Sequence, residues 1–243
     1  PKVDWIKYRE PEDHLDTQAE IICNILDQKH IRSACGITYK DKSFLDRLSK
    51  KGFKENWIID PLIDLNILQK GVASETILPK LTKVAVRTLI EKYGYVDLVV
   101  ARHILEHAPN TLEYISLISA LLKPGGYIFF EVPDCSKQLR HNDYTMPWEE
   151  HILYFVPETL KNIFNHTEFE IIDYKNYEYP TENSQVVILK KSMGKRKNKS
   201  FDISNLIKLA EDYSIGYENQ KHKVITYLQK YNLKKGKIAF YGA

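Results

Sequence analysis

Cysteine is scarce in this sequence: Cys23, Cys35 and Cys135 are the only three in 243 residues. They lie far apart and form no C-x-x-C pair, which argues against a zinc site or a disulfide framework and suits a reducing compartment. Long apolar runs are missing too, and none approaches the length that spans a bilayer. No signal-peptide pattern opens the sequence as given, so the expectation is a cytoplasmic protein with no membrane partner. An excess of one charge is also lacking. Thirty-five Lys and Arg face 32 Asp and Glu, for a net charge of +3, too mild to imply nucleic acid. No internal repeat is present. What remains is 43% hydrophobic content, enough for a sizeable core, in a length that suits one large domain with an appendage.

The chain is organised around residues 95–134, YVDLVVARHILEHAPNTLEYISLISALLKPGGYIFFEVPD. Two short apolar runs, 96–101 and 127–132, have strand character. Between them Leu112, Ile115, Ile118/Ser119 and Leu122 recur on one helical face. Strand, crossover helix and strand make a βαβ unit, which requires a parallel sheet. Leu-Lys-Pro-Gly-Gly reads as the helix stop. His-Ile-Leu-Glu-His follows the first of these strands at its carboxyl end, the edge where open α/β sheets bind ligands.

The rest of the chain fits around this unit. Residues 12–29 read as an amphipathic helix with Leu15, Ala19, Ile22 and Leu26 on its apolar face. Residues 31–36 read as a first strand, 43–51 as a helix closed by Gly52, and 53–60 as a second strand. A short third strand is expected within 71–82, with a helix over 81–92. Past Asp134, the run WEEHILYF sets two carboxylates and a histidine against aromatics, and Pro157 and Glu158 open a helix. Residues 169–174 and 185–189 read as a closing antiparallel pair. Residues 190–199 form a basic linker, read as a solvated loop in preference to a phosphate or nucleic-acid patch because no aromatics are interleaved. Residues 202–231 read as one long helix, or two, with Leu206, Leu209, Ile215, Val224 and Leu228 as apolar positions.

Residues 95–134 resemble the class I S-adenosylmethionine-dependent methyltransferases, whose fourth and fifth strands carry this acidic opening, this histidine-containing loop and L-L-K-P-G-G. The resemblance implies an α/β fold: a Rossmann-like sheet of seven strands, mostly parallel with the last antiparallel, helices on both faces, and here a C-terminal helical appendage. It implies S-adenosylmethionine as cofactor and S-adenosylhomocysteine as product. Cofactor contacts are expected at Gly36, Asp41, Asp60, Pro61, Ala101, Arg102 and His103. Asp60, ending the second strand, is placed to accept hydrogen bonds from ribose hydroxyls, or else simply to form the turn before Pro61. The loop Ala-Cys-Gly-Ile-Thr-Tyr-Lys-Asp-Lys-Ser departs from the family. It has one glycine where two or three let the backbone approach the cofactor, and Asp41 stands in for the usual acidic residue.

E-H-x-x-Y-F after the fifth strand, His107, Gly52-Phe53 through Ile59-Asp60-Pro61, and GKIAFYGA near the end are similar to the sugar C-methyltransferases acting on nucleotide-linked keto-deoxysugars. That resemblance implies a small nucleotide-linked sugar as acceptor, and His151, Glu150, His107 and Tyr8 as catalytic residues. It further implies a methyltransferase domain over 1–190, a basic linker over 191–201, and over 202–243 a helix plus the first strand of a truncated C-terminal domain, with the helix available for pairing two copies. The sequence as given holds no cysteine-rich stretch like the family's N-terminal zinc domain, so the expectation is a fragment of a longer protein or one trimmed of both flanking modules; Trp148 occupies the place of a tyrosine.

Methylating carbon requires an enolate, formed by removing a proton beside a carbonyl. A histidine near neutrality is the natural base, and a carboxylate beside it raises its basicity and fixes its tautomer. His151 with Glu150 fits that requirement, and His107 would donate to the enolate oxygen. Both histidines also have purely structural readings. His103 and His107 have H-x-x-x-H spacing without an evident third ligand, and Glu106 is out of place for H-E-x-x-H, so no metal is expected. Oxygen or nitrogen acceptors on the same scaffold, and a non-catalytic assembly domain that has lost its cofactor, are the alternative functions.

Overall fold

The computed structural model describes residues 11–26, 32–68, 72–147, 150–192 and 202–235. In chain order the elements are α1 (Leu15–Leu26), β1 (Ser33–Gly36), α2 (Lys42–Lys50), β2 (Glu55–Ile58), α3 (Ser74–Ile77), α4 (Lys83–Tyr93), β3 (Val96–Arg102), α5 (Thr111–Ser119), β4 (Leu122–Asp134), α6 (Ser136–His141), α7 (Pro157–Phe164), β5 (Phe169–Tyr177), β6 (Asn183–Lys191) and α8 (Ser204–Lys235). Single 3-10 turns lie at Tyr39–Asp41, Leu78–Lys80 and Leu105–His107. The strands form one sheet in the order β2-β1-β3-β4-β6-β5. β1 to β4 run parallel and β6 runs antiparallel to both its neighbours. The strand order reverses between β1 and β3, and the crevice outside their carboxyl ends is the ligand edge of such a sheet.

Alternation along the central strands builds a core on each face, since successive side chains point to opposite sides. Val99, Ala101, Ile128, Phe130, Val187 and Leu189 face one apolar cluster with α4, α5 and α7. Leu98, Val100, Phe129, Val186 and Ile188 face the other, under α1 and α2. The predicted stripe of α1 holds: Leu15, Ala19, Ile22 and Leu26 are buried. Asp97 and Arg102 are the buried charged residues of β3, one near each end. The Asp97 Oδ2 accepts from the Ser33 amide and hydroxyl and pairs with Lys123 Nζ at 3.1 Å, tying β1 to β4.

Three expectations change. The sheet has six strands among the described residues, not seven. The region read as a third strand holds α3 and the turn at Leu78–Lys80, where Pro79 supplies no amide to a ladder. Leu-Lys-Pro-Gly-Gly does not merely stop a helix; it forms a bulge at the start of β4, with Val96 opposite Leu122 but Leu98 opposite Tyr127. Gly125 at φ +67° makes that excursion easy. Of the predicted helical stripe, Ile115, Ile118 and Ser119 are buried in α5, joined by Tyr114, whereas Leu112 is half exposed and Leu122 belongs to β4.

α8 is one continuous helix. It touches the rest of the fold near α6, where the Tyr144 hydroxyl donates to the Tyr213 carbonyl and the Tyr213 hydroxyl donates to the Asp143 carbonyl at 3.0 Å. Ile215 and Val224 are exposed, so they do not serve as packing positions here. No helix among the described residues is long and apolar enough to cross a membrane. Tyr8, Trp148 and the terminal KIAFYGA lie outside the described residues, as does most of the basic linker.

Candidate active site

β1 ends at Gly36, and the loop behind it is held by Asp41. One carboxylate oxygen accepts from the amides of Ile37 and Thr38, both at 2.8 Å; the other accepts from the Arg102 amide at 2.8 Å. Burial pushes the Asp41 carboxyl up to about 6, while those three amides and the Arg102 charge pull against it. Asp41 therefore spends its acceptors on the loop rather than presenting them to a ligand. Gly36 is required by the same packing, because a Cβ there would sit 2.8 Å from the Asp41 Cβ. A loop with one glycine is thus shaped by a side-chain clamp where a glycine-rich loop relies on its missing side chains.

Arg102 and Ala101 also belong to the interior. Ala101 is packed in the core. Arg102 is fully buried, its Nε donating to Glu131 Oε2 at 2.5 Å and its Nη1 to the Lys40 carbonyl at 2.7 Å. His14 Nε2 lies 3.0 Å from Glu131 Oε1, which also accepts from the Ser184 hydroxyl. Burial alone would raise the Glu131 carboxyl; His103, His14 and Arg102 outweigh it and hold it well below the usual range. This network fixes β3 to β4 and to α1, and its charges are compensated inside the fold. His103 follows in the left-handed region at φ +50°, an uncommon conformation for a residue with a side chain. Its amide donates to the Glu131 carbonyl at 2.8 Å.

Asp60 lies beyond the end of β2. Its Oδ1 accepts from the amides of Leu62 and Ile63, both at 2.9 Å, so the geometry matches the turn-forming reading of Asp60-Pro61. Neither residue lines the main cavity.

The chemically dense part lies past β3, where two distant segments are stitched together. The Glu106 carbonyl accepts from the amides of Ile152 and Leu153, each at 3.0 Å. In return, His107 Nδ1 lies 2.9 Å from the Glu150 carbonyl. These bonds set the His107 and His151 rings edge to face, with centroids 4.8 Å apart. Both line a cavity of about 790 Å³ whose walls also include Lys40, Glu106, Lys137 and Glu150. Burial lowers the His151 pKa, the Glu106 charge pulls it back up, and His107, Lys40 and His103 lower it further. Glu106 is 1% exposed; burial raises its carboxyl, and His103 outweighs that to hold it below the usual range.

Of the expected catalytic residues, the fold thus brings together His107, Glu150 and His151. Of the expected cofactor residues, His103 alone lines this cavity. Glu150 is solvent-exposed and meets His107 through its backbone, so the carboxylate next to His151 is Glu106. The sequence offered Glu106 between its two histidines, but helix-motif spacing gave it no role; only the crossing of 105–107 by 150–153 reveals it.

A methyltransferase-domain family matches residues 38–174, more than half of the chain. The chain belongs to that family. This methyltransferase domain is similar to the C-methyltransferase NovU of Streptomyces niveus, at 29% identity over 115 residues, 47% of this chain and 27% of that protein. It is also similar to the ubiquinone biosynthesis O-methyltransferase of Vibrio parahaemolyticus, at 34% identity over 68 residues, 28% of each chain. The matched part spans little more than a quarter of the length of these curated relatives. Among solved structures, the 1,6-didemethyltoxoflavin-N1-methyltransferase of Burkholderia thailandensis matches at 12% identity with a TM-score of 0.48, covering 74% of this chain and 79% of that one. A likeness of that degree adds no argument about the site of this methyltransferase domain.

Proposed function

We propose that this domain methylates a small molecule using S-adenosylmethionine, and that the acceptor is a carbon beside the carbonyl of a nucleotide-linked sugar. The observation that carries this reading is the His107–His151 pair on one wall of a cavity large enough for a drug-sized ligand. The similarity to a C-methyltransferase over 115 residues supports carbon as the acceptor atom.

When bound, S-adenosylmethionine supplies an electrophilic methyl group. The residues that would hold it are the backbone of Gly36 and the Ile37–Lys40 loop, with His103 just past β3; Asp60, beyond the end of β2, has Oδ1 committed to its own turn and would offer a ribose hydroxyl only its other oxygen. The chemistry of these donors fits an amino acid joined to a nucleoside. Lys40 is cationic and lines the cavity, and Asp60 is an acceptor for hydroxyls. His151, kept neutral at pH 7 by burial, takes the proton beside the acceptor carbonyl, and Glu106 stabilises the imidazolium that forms. His107 is committed at Nδ1 to a carbonyl, which can only accept, so a neutral His107 carries its lone pair on Nε2. It donates to an enolate oxygen through Nε2 only as an imidazolium.

The test is proton exchange. In deuterated water, without cofactor, the wild-type protein should exchange the hydrogen beside the carbonyl of a nucleotide-linked keto sugar. His151→Ala should abolish both exchange and methyl transfer while leaving calorimetric affinity for S-adenosylmethionine nearly intact. Methyl transfer without any exchange would move the reading to an oxygen or nitrogen acceptor. Equal turnover of variant and wild type would remove His151 as the base.

A further inference from the structure

The same wall of the cavity has a second property. Glu106 is 1% exposed, and neither of its carboxylate oxygens meets a hydrogen-bond donor among the described residues. Its ion-pair neighbour, His103 Nδ1, stands 3.7 Å away, beyond hydrogen-bond reach. A buried carboxylate in that position costs stability unless something cationic completes its shell. One ligand atom each from Glu106, His107 and His151 lies within 4.8 Å of the others.

We propose that Glu106, His107 and His151 form a binding site for one divalent transition-metal cation, with its remaining coordination positions open to the cavity. Two imidazoles and one carboxylate favour ions such as Zn²⁺, Co²⁺ or Mn²⁺ over Mg²⁺ and Ca²⁺, which prefer all-oxygen shells. The outer shell supports the assignment. Metal-bound histidines characteristically donate their other ring N–H to a carbonyl or carboxylate, and His107 does so to the Glu150 carbonyl. That bond leaves the lone pair on Nε2, the form a cation needs. Bonds of roughly 2.0–2.2 Å would draw the ligand atoms closer than 4.8 Å. The backbone around His151 is pinned at Glu150, Ile152 and Leu153, so closing the set falls to rotation of its half-buried side chain.

This inference rests on the reading of the cavity as the acceptor site only for its purpose. There the cation would hold the acceptor's oxygen, the task a neutral His107 cannot perform; a His151 bound to it has no lone pair for the proton, so the base role of His151 belongs to the metal-free protein. Binding itself needs no acceptor and no cofactor. The sequence expectation of no metal looked for a third ligand beside His103 and His107; the fold supplies a different set.

The test uses the full chain without an affinity tag, stripped with a chelator, then dialysed to equilibrium against Zn²⁺ and separately titrated with Co²⁺ while its visible spectrum is followed. One equivalent should bind at micromolar or lower concentration. Glu106→Gln and His151→Ala should each weaken binding by at least about 10–100-fold, the scale already reached by losing an outer-shell partner of a ligand, and alter the Co²⁺ bands. His222→Ala, on the exposed face of α8, should change neither. Binding should weaken as the pH falls below about 6.5, because protonated imidazoles cannot coordinate. His151→Ala removes a half-buried loop side chain, so the test stands even if Glu106→Gln does not fold. Absence of binding, or binding that survives both variants, overturns the site. Calorimetry with S-adenosylmethionine on the stripped protein separates the two readings. Retained cofactor affinity with no metal binding overturns the cation site alone, whereas metal binding without cofactor affinity overturns the proposed function alone.

Discussion

At the scale of the residue, His151 shows how the environment selects a role. Burial lowers its pKa from the usual value of 6.5, and the neighbouring positive charges lower it further. A lowered pKa means the neutral, proton-accepting form persists into more acidic solution. In metal-free protein, kcat/KM should therefore be flat across neutral pH and fall on the acid side only below 6.5, as His151 is protonated. A midpoint above 6.5 in the pH–rate profile would show that another group, or a more solvated His151, controls the reaction. The two histidines were legible from their setting in H-I-L-E-H and E-H-x-x-Y-F. Glu106 was not, because a carboxylate between two histidines has no periodic signature; its burial and its lack of donors are properties of the packed site. Asp60 was legible as a strand-end acid, but local backbone geometry decides what its Oδ1 does, and the nearest donors are the amides of its own turn.

At the scale of the element, the loop between β1 and α2 depends on one carboxylate. Replacing Asp41 with alanine would leave three amides, those of Ile37, Thr38 and Arg102, without their acceptor in the interior. An unsatisfied buried donor costs about 1–3 kcal/mol, so Asp41→Ala should lose at least about 2 kcal/mol in urea unfolding. Loss below about 0.5 kcal/mol would show that the loop holds its shape without the clamp. The strands themselves were readable. β3 and β4 are continuous apolar runs because both faces of a parallel sheet are covered, and α1 shows its stripe at helical spacing. The third strand and the Leu-Lys-Pro-Gly-Gly stop were misjudged for a shared reason. Proline and glycine mark a break in local structure, but whether the break becomes a turn, a short helix or a bulge depends on the neighbouring strand.

At the scale of the whole molecule, α8 is joined to the cavity wall. Gly216 faces that wall, and a Cβ there would come within 2.6 Å of the Asn142 side chain and 2.7 Å of the Tyr144 hydroxyl. Asp143, Thr145 and Met146 line the cavity from the same segment. Gly216→Leu should lift α8 away, break the Tyr144–Tyr213 contacts, and speed amide exchange across 142–146 at least about tenfold while the sheet exchanges as before. Unchanged exchange there would mean that α8 does not brace this wall. The long helix was readable from composition and spacing; its attachment beside α6 was not, since it is made by tyrosine hydroxyls and backbone carbonyls about 70 residues apart in sequence.

The sequence by itself determined the parallel α/β sheet, the buried face of α1 and the methyltransferase resemblance, because each depends on short-range periodicity or on a contiguous motif. Only the tertiary structure decided which polar residues became scaffold and which became site. Asp41, Arg102 and Glu131 satisfy one another or nearby backbone amides in the interior. Glu106, His107 and His151 meet at the cavity because hydrogen bonds between residues 106–107 and 150–153 join segments more than 40 residues apart. Pairings of that range arise from sheet topology and burial, and no local pattern in the chain encodes them.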